Sequence, residues 1–341
     1  VETSFPDRYY VLKKNLLIEI LIIIVIFAAA IGCEPTKELT VEPVPVFSKI
    51  LNIDSTYTEV SVIPTGNSSL LFCGEKDNFN SYSILKFDSL PESFDSLFLQ
   101  LQSDSAAVEL TLYELKEEWS ENSVFLWDSI GNLIDTLDPI VIQAVNDSNP
   151  RIFIGSSSTL DYSVIENIGN FGLAVHSDPF YSFNAEETRL QLDTVSGDTL
   201  VNSSVWCMED AFIVKNPFRD SLFSDSLLVG RGISIRTHII IPRDSLPEGL
   251  NSIASAKLFF DVDTAFSFNV ETTSQNSGII LYPGYTEDYD SMRIDLARLF
   301  QRVGNDSVVD VQIRASNEIG GIGYEKFGGG LIKFVWVEFP R

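Results

Sequence analysis

Two stretches decide the fold: "SLFLQLQ" from Ser96 to Gln102 and "VELTLYEL" from Val108 to Leu115. In the first, Leu97, Leu99 and Leu101 alternate with Phe98, Gln100 and Gln102. In the second, Val108, Leu110 and Leu112 alternate with Glu109, Thr111 and Tyr113. A period of two puts one set of side chains on each face of an extended strand, so each stretch reads as a half-buried β-strand. "SAKLFFDVD" alternates in the same way through Ala256, Leu258, Phe260 and Val262, and "FVWVEF" follows suit near the end.

Between such segments the dipeptide Asp-Ser recurs eleven times. Asp and Ser side chains bond to nearby backbone N–H groups and favour turns, so much of the acidity is turn chemistry. Short strands separated by polar turns predict an all-β chain of antiparallel, jelly-roll-like β-sandwiches. The chain is 341 residues long, 45% hydrophobic, with 48 Asp and Glu against 23 Lys and Arg. The length favours two domains, each able to bury a core. A net charge of -25 repels phosphate backbones, which argues against nucleic acid as a partner.

The pentapeptide "DSLPE" at Asp88 to Glu92 returns at Asp244 to Glu248, each time between two strand-like segments. A second echo follows in the same order, from Asp161 ("DYSVIENIGNFGLAV") and from Asp295 ("DLARLFQRVGNDSVVDVQI"). Two ordered echoes predict a tandem duplication. The interval is 22 residues shorter in the second copy, about one hairpin. The expected organisation is a signal over 1–32, an extended tether over 33–48, a first sandwich over 49–198 and a second over 199–341. The polar run from Thr194 to Ser204 is the expected linker. "DSMRIDLARLFQRVG" is expected to be the one helix, and "GGIGYEKFGGG" from Gly320 to Gly330 a hairpin turn before the last strand.

Near the start, Leu16 to Ile31 form an apolar run preceded by Lys13 and Lys14 and followed by Gly32 and Cys33. A basic start, an apolar stretch and small residues before a cut describe a secretory signal. Ala30-Ile31-Gly32-Cys33 resembles a bacterial lipobox, which implies lipidation of Cys33 and attachment of the protein to a membrane. The Pro-bearing "EPTKELTVEPVPVF" then reads as a tether.

Three groups of residues carry a family resemblance. Phe87 and Asp88 precede Leu90-Pro91; Trp119 and Glu121 are followed by Trp127; Asn184, Glu186 and Leu190 mark a final strand. In these the chain resembles the DNRLRE-type domain, over about residues 55–195 and more loosely over 205–341. The second copy has no Trp-x-Glu, and the family's naming hexapeptide is absent. The resemblance implies an extracellular β-sandwich similar to carbohydrate-binding modules, with a binding or structural role at the cell surface.

Candidate ligand-binding residues fall in two places. Trp119, Glu121 and Trp127 suit a sugar platform, since ring faces stack on pyranoses and carboxylates accept hydroxyl protons; the alternative is a Trp filling the core. Tyr282, Tyr285 and Tyr289 lie with Glu287 and Asp288 on a loop broken by Pro283 and Gly284, suited to polyols or to a Ca²⁺ ion. An ordinary solvated loop is the alternative there. His176 and His238 lack a second ligand at metal spacing, and no nucleophile or phosphate-loop motif stands out, so no catalytic or metal-ligating residue is expected. Cys73 and Cys207 are read as free thiols or as a disulfide. These readings describe a non-enzymatic, lipid-anchored protein of the cell envelope, at the outer membrane or cell surface. Polysaccharide or another envelope protein is the expected partner, and the alternative function is the carbohydrate-binding arm of a polysaccharide-degrading system. A glycoside hydrolase or lyase is the third reading.

Overall fold

The computed structural model describes residues 46–53, 55–103, 108–218, 227–246, 253–262, 270–274, 284–285, 291–302 and 308–337. The first half of the chain runs β1 (Val46–Asn52), β2 (Thr56–Ser61), β3 (Leu70–Lys76), β4 (Phe79–Phe87), β5 (Ser96–Gln100) and β6 (Val108–Glu114). A short helix α1 (Ile130–Leu133) precedes β7 (Val141–Val145), β8 (Arg151–Gly155), α2 (Tyr162–Asn170), β9 (Leu173–Asp178), β10 (Tyr181–Asn184), β11 (Arg189–Ser196) and β12 (Thr199–Val214). The second half runs β13 (Leu227–Arg231), β14 (Ser234–Pro242), β15 (Ile253–Val262), β16 (Val270–Ser274), β17 (Gly284–Tyr285) and β18 (Ser291–Asp295). It ends with α3 (Ala297–Arg302), β19 (Val308–Ala315) and β20 (Gly323–Val337).

The chain is all-β and antiparallel. Among the described residues, one sheet has the order β7-β6-β9-β4-β12-β11-β5-β8, with β3 and β10 joined to β4. The other has the order β16-β19-β14-β13-β20-β15-β18-β17, with β1 on β20 and β2 on β14. The alternation read from sequence sets the faces. Leu97, Leu99, Leu110 and Leu112 are fully buried, while Phe98 and Gln100 point the other way. β3 and β4 meet through Asp77 and Asn78, both at positive φ, which suits a two-residue hairpin.

β12 closes the first sandwich. Its sixteen residues bend where the register slips between Cys207 and Glu209. The part before the bulge pairs with β11 and the part after it with β4, so one strand passes from one layer to the other. The core between the layers includes Phe72, Leu85, Phe87, Ile152, Val175 and Phe212. It does not stop at mid-chain: Leu228, Ile233, Ile235 and Ile322 belong to the same cluster. Phe79, Phe218 and Tyr324 interlock there, Phe218 meeting Tyr324 edge-on at 4.7 Å. A second cluster around Leu258, Phe260, Phe300 and Val311 is the core of the second half.

Four local expectations are corrected. Thr194 to Ser204, expected as a linker, is a hairpin in which Val195 faces Leu200 and Ser196 faces Thr199, because the polar turn is only Gly197-Asp198. β1 and β2 lie in the sheet of the second half rather than the first. Gly323 to Gly330 are strand, since β13 and β15 pair along them. The expected helix over "DSMRIDLARLFQRVG" begins only at Ala297, because Ser291 to Asp295 pair with β15, and besides the short α1 there is a longer helix, α2, that β-branched Val164, Ile165 and Ile168 had disguised.

Candidate binding site

The Trp-bearing segment folds over the outer face of the first sheet. Tyr82 and Ile84 of β4, Tyr113 of β6, Ala174 of β9 and Ala211 and Ile213 of β12 present a second apolar face. Trp119, Leu133 and Ile134 cover it. Trp119 is 6% exposed, its Nε1–H donates to the Phe171 carbonyl at 2.8 Å, and it meets Phe125 edge-on. A buried indole cannot stack on a sugar, so Trp119 leaves the binding candidates and serves as the anchor of this layer. Glu121 is partly exposed and its backbone N–H donates to Glu209.

Trp127 is half-buried beside Tyr82, 5.7 Å between centroids. It lines a cavity of about 630 Å³ with Val62, Leu126, Asp128, Val214, Lys215 and Asn216. Behind it, Tyr82 packs on His176, whose Nε2 lies 3.1 Å from Asn80 Oδ1. Burial holds this imidazole below its ordinary value, against the opposing pull of Asp178 and Glu75. A second cavity, about 530 Å³, adjoins the Ser89 to Glu92 turn and α2, with Tyr162 at its mouth.

Tyr282, Tyr289, Glu287 and Asp288 lie outside the described residues, and so does the Ca²⁺ reading attached to them. For Tyr285 only the backbone is described, pairing with Met292. Among the described residues no group of His, Cys, Asp and Glu side chains is placed to hold a metal ion.

Other titratable groups are committed to structure. Cys73 and Cys207 are free thiols, and burial pushes the Cys73 thiol up to about 12 and the Cys207 thiol upward too. His238 is fully buried between two acids, Nε2 2.9 Å from Glu59 and Nδ1 3.0 Å from Asp310. Asp210 is pushed up to about 7, first by burial and then by Glu121 and Glu186.

An aromatic surface that the sequence reading missed lies on the outer face of β12, β11, β5 and β8. Trp206, Arg189, Gln100 and Arg151 stand opposite one another in one row across these strands. The next row holds Ser204, Gln191, Phe98 and Phe153. Trp206 is 49% exposed and Phe153 47%. The Arg189 guanidinium lies 4.8 Å from the Trp206 ring centre, and that of Arg151 lies 3.7 Å from Phe98. Phe98 packs on Phe153 at 5.3 Å. Gln100 Oε1 accepts from Arg189 and Gln191, and Arg151 pairs with Asp193 at 3.1 Å. Stacking and amide bonds hold the rings and guanidinium groups in place before any ligand arrives. At the usual strand spacing the row from Trp206 to Arg151 spans about 14 Å. Its signal was present in the sequence as the alternate positions of the same leucine-rich strands: Phe98 and Gln100 between Leu97 and Leu101, Arg189 and Gln191 around Leu190.

No family model matches the chain, and no curated protein matches it. Among solved structures, a protein of Parabacteroides distasonis described as secreted overlaps 88% of this chain and 91% of its own, at 10% identity and a TM-score of 0.20. The C-terminal domain of the Streptococcus agalactiae AgI/II polypeptide BspA overlaps 87% and 92%, at 8% identity and a TM-score of 0.16. Cucumber Necrosis Virus overlaps 86% and 96%, at 11% identity and a TM-score of 0.14. Likenesses this weak, shared by bacterial polypeptides and a virus alike, say nothing of function.

Proposed function

We propose that the chain is a non-enzymatic binding protein of the cell envelope, lipid-anchored through Cys33, that takes up uncharged saccharide chains across the outer face of β12, β11, β5 and β8. One observation carries the saccharide reading: exposed Trp206 and Phe153 stand at opposite ends of two adjoining rows that hold Arg189, Gln100, Gln191 and Arg151 on one sheet face. Rings stack on the apolar faces of pyranoses, while guanidinium and amide groups bond their hydroxyls. The strong negative charge of the whole molecule disfavours acidic polymers. Trp127 and its cavity offer a second, deeper contact in the same half of the chain. The non-enzymatic reading is supported by histidines and thiols tied up in packing. The resemblance to the DNRLRE-type domain points in the same direction, as does the lipobox-like Cys33. A place as the binding arm of a polysaccharide-degrading system is the natural extension.

The test is affinity electrophoresis through gels carrying neutral polysaccharides, with reducing-end assays alongside. Retardation without new reducing ends is expected. The double variant W206A/F153A should lose binding at least tenfold, about 1.4 kcal/mol, with its circular dichroism unchanged. Equal retardation of the variant would remove the site from this face, and turnover would end the non-enzymatic reading. On the native protein, the N-terminal peptide should carry acyl mass on Cys33; an unmodified thiol there would refute the anchor.

A further inference from the structure

The strand partners repeat along the chain. In the first half β9 lies between β6 and β4, β3 forms a hairpin with β4, and β5 pairs with β8. In the second half β19 lies between β16 and β14, β13 forms a hairpin with β14, and β15 pairs with β18. α2 precedes β9 as α3 precedes β19. β10 and β11 pair with β3 and β5, and the two parts of β20 pair with β13 and β15.

One position in this pattern is filled from the wrong copy. β12 pairs with β11 and then with β4. The equivalent pairings in the second half, with β20 and with β14, are made by β1 and β2. Residues 46–61 open the first copy and residues 199–214 open the second, yet each lies in the other's sheet. β12 reaches its place through a tight turn. β2 reaches its place across the chain, with Glu59 meeting His238 179 positions away.

We propose that the two copies have exchanged their first strands, and that the slot along the edges of β20 and β14, where β1 and β2 pair, is a strand-accepting site whose partner in trans is residues 46–61 of a second copy. The segment is suited to leaving. Among its described residues none is a fully buried apolar side chain, and Val46 and Ile50 are more than 60% exposed. Its hold comes from the main-chain ladder, from Leu51, Ile53 and Val60 packed at the margins of the two cores, and from a few polar contacts. His238 Nε2 meets Glu59 at 2.9 Å, Tyr57 stacks on the same imidazole at 4.4 Å, and Lys49 Nζ donates to the Ser245 carbonyl at 2.6 Å. Withdrawal removes no fully buried side chain, uncovers the core margins under Leu51, Ile53 and Val60, and leaves the edges of β14 and β20 unpaired, which is the state an added strand satisfies. The same contacts are available to the same segment of another molecule, so exchange between copies costs little beyond association.

The test uses the full chain in a C33S background. Ser61 faces Ser234, and both Cα spacings found in antiparallel pairs lie within disulfide reach. The double variant S61C/S234C should crosslink within one chain. S61C and S234C chains unfolded together and refolded at high concentration should give a covalent dimer, joined between positions 61 and 234 by peptide mass. No dimer from the mixture, while the double variant crosslinks, would overturn the proposal; failure of the double variant would overturn the slot itself. Should the substitutions impair folding, unsubstituted chain refolded over a concentration series decides by light scattering. Dimers that grow with concentration support exchange, and monomers throughout refute it.

Discussion

Asp210 stands on β12 just past the bulge, with Oδ1 buried and lacking a hydrogen-bond partner among the described residues. Its carboxyl is pushed up to about 7, so in the folded chain it stays protonated where an unfolded Asp has already ionised. Below about pH 4 both states hold the proton, and the stability that depends on the neutral carboxyl is present in full. As pH rises from there through 7 the unfolded state gains, and stability contributed by the neutral carboxyl is progressively lost. The shift corresponds to about 4 kcal/mol in full, which partial exposure reduces to the order of 1–2 kcal/mol. D210N should therefore match the parent chain near pH 4 and exceed it in urea midpoint at pH 8; parallel curves across that range would show that Asp210 ionises normally. Nothing in "WCMEDAF" announces this residue, because its environment is made first by burial in the fold and then by Glu121 and Glu186 from distant loops. Trp206, in the same stretch, was equally mute: an indole in an alternating strand is core or surface according to the sheet that covers it.

At the scale of elements, the segment from Trp119 to Leu133 behaves as a third layer laid on an already complete sheet. The sequence marked it through two tryptophans and its absence from the second copy, but spacing alone left the side of the indole open. The apolar outer face of β4, β9 and β12 decided it. W119A should remove a buried ring and its bond to Phe171, at a cost of about 3–5 kcal/mol. W206A, on an exposed face, should shift the urea midpoint far less. Equal effects of the two would mean that the layer is loosely held. α2 was missed for a related reason: its β-branched residues lower helix propensity, and packing beneath the Leu90 turn overrides it. At its end Gly172 sits at φ +102 against the Leu85 carbonyl, a place no side chain fits.

For the whole molecule, the shared core and the crossing of β1 and β2 bind the halves together. Proteolytic cleavage at the exposed Gly197-Asp198 turn should leave one particle on size exclusion, because β12 stays paired with both β11 and β4 and the Phe79, Phe218 and Tyr324 rings span the junction. Two fragments eluting separately would show the halves to be independent. By itself the sequence determined what is local: period-two strands, the inward side of each, polar turns between them, and an acidic surface that repels phosphate. Those follow from interactions within a few residues, which a single chain reads out directly. Only the tertiary structure decided that Thr194 to Ser204 is a hairpin, that residues 46–61 serve the far sheet, and that Trp119 is covered while Trp206 is open. Strand partners are chosen by the free energy of the whole fold. An extended strand carries the same backbone donors and acceptors wherever it goes, so its own residues do not say which edge it joins.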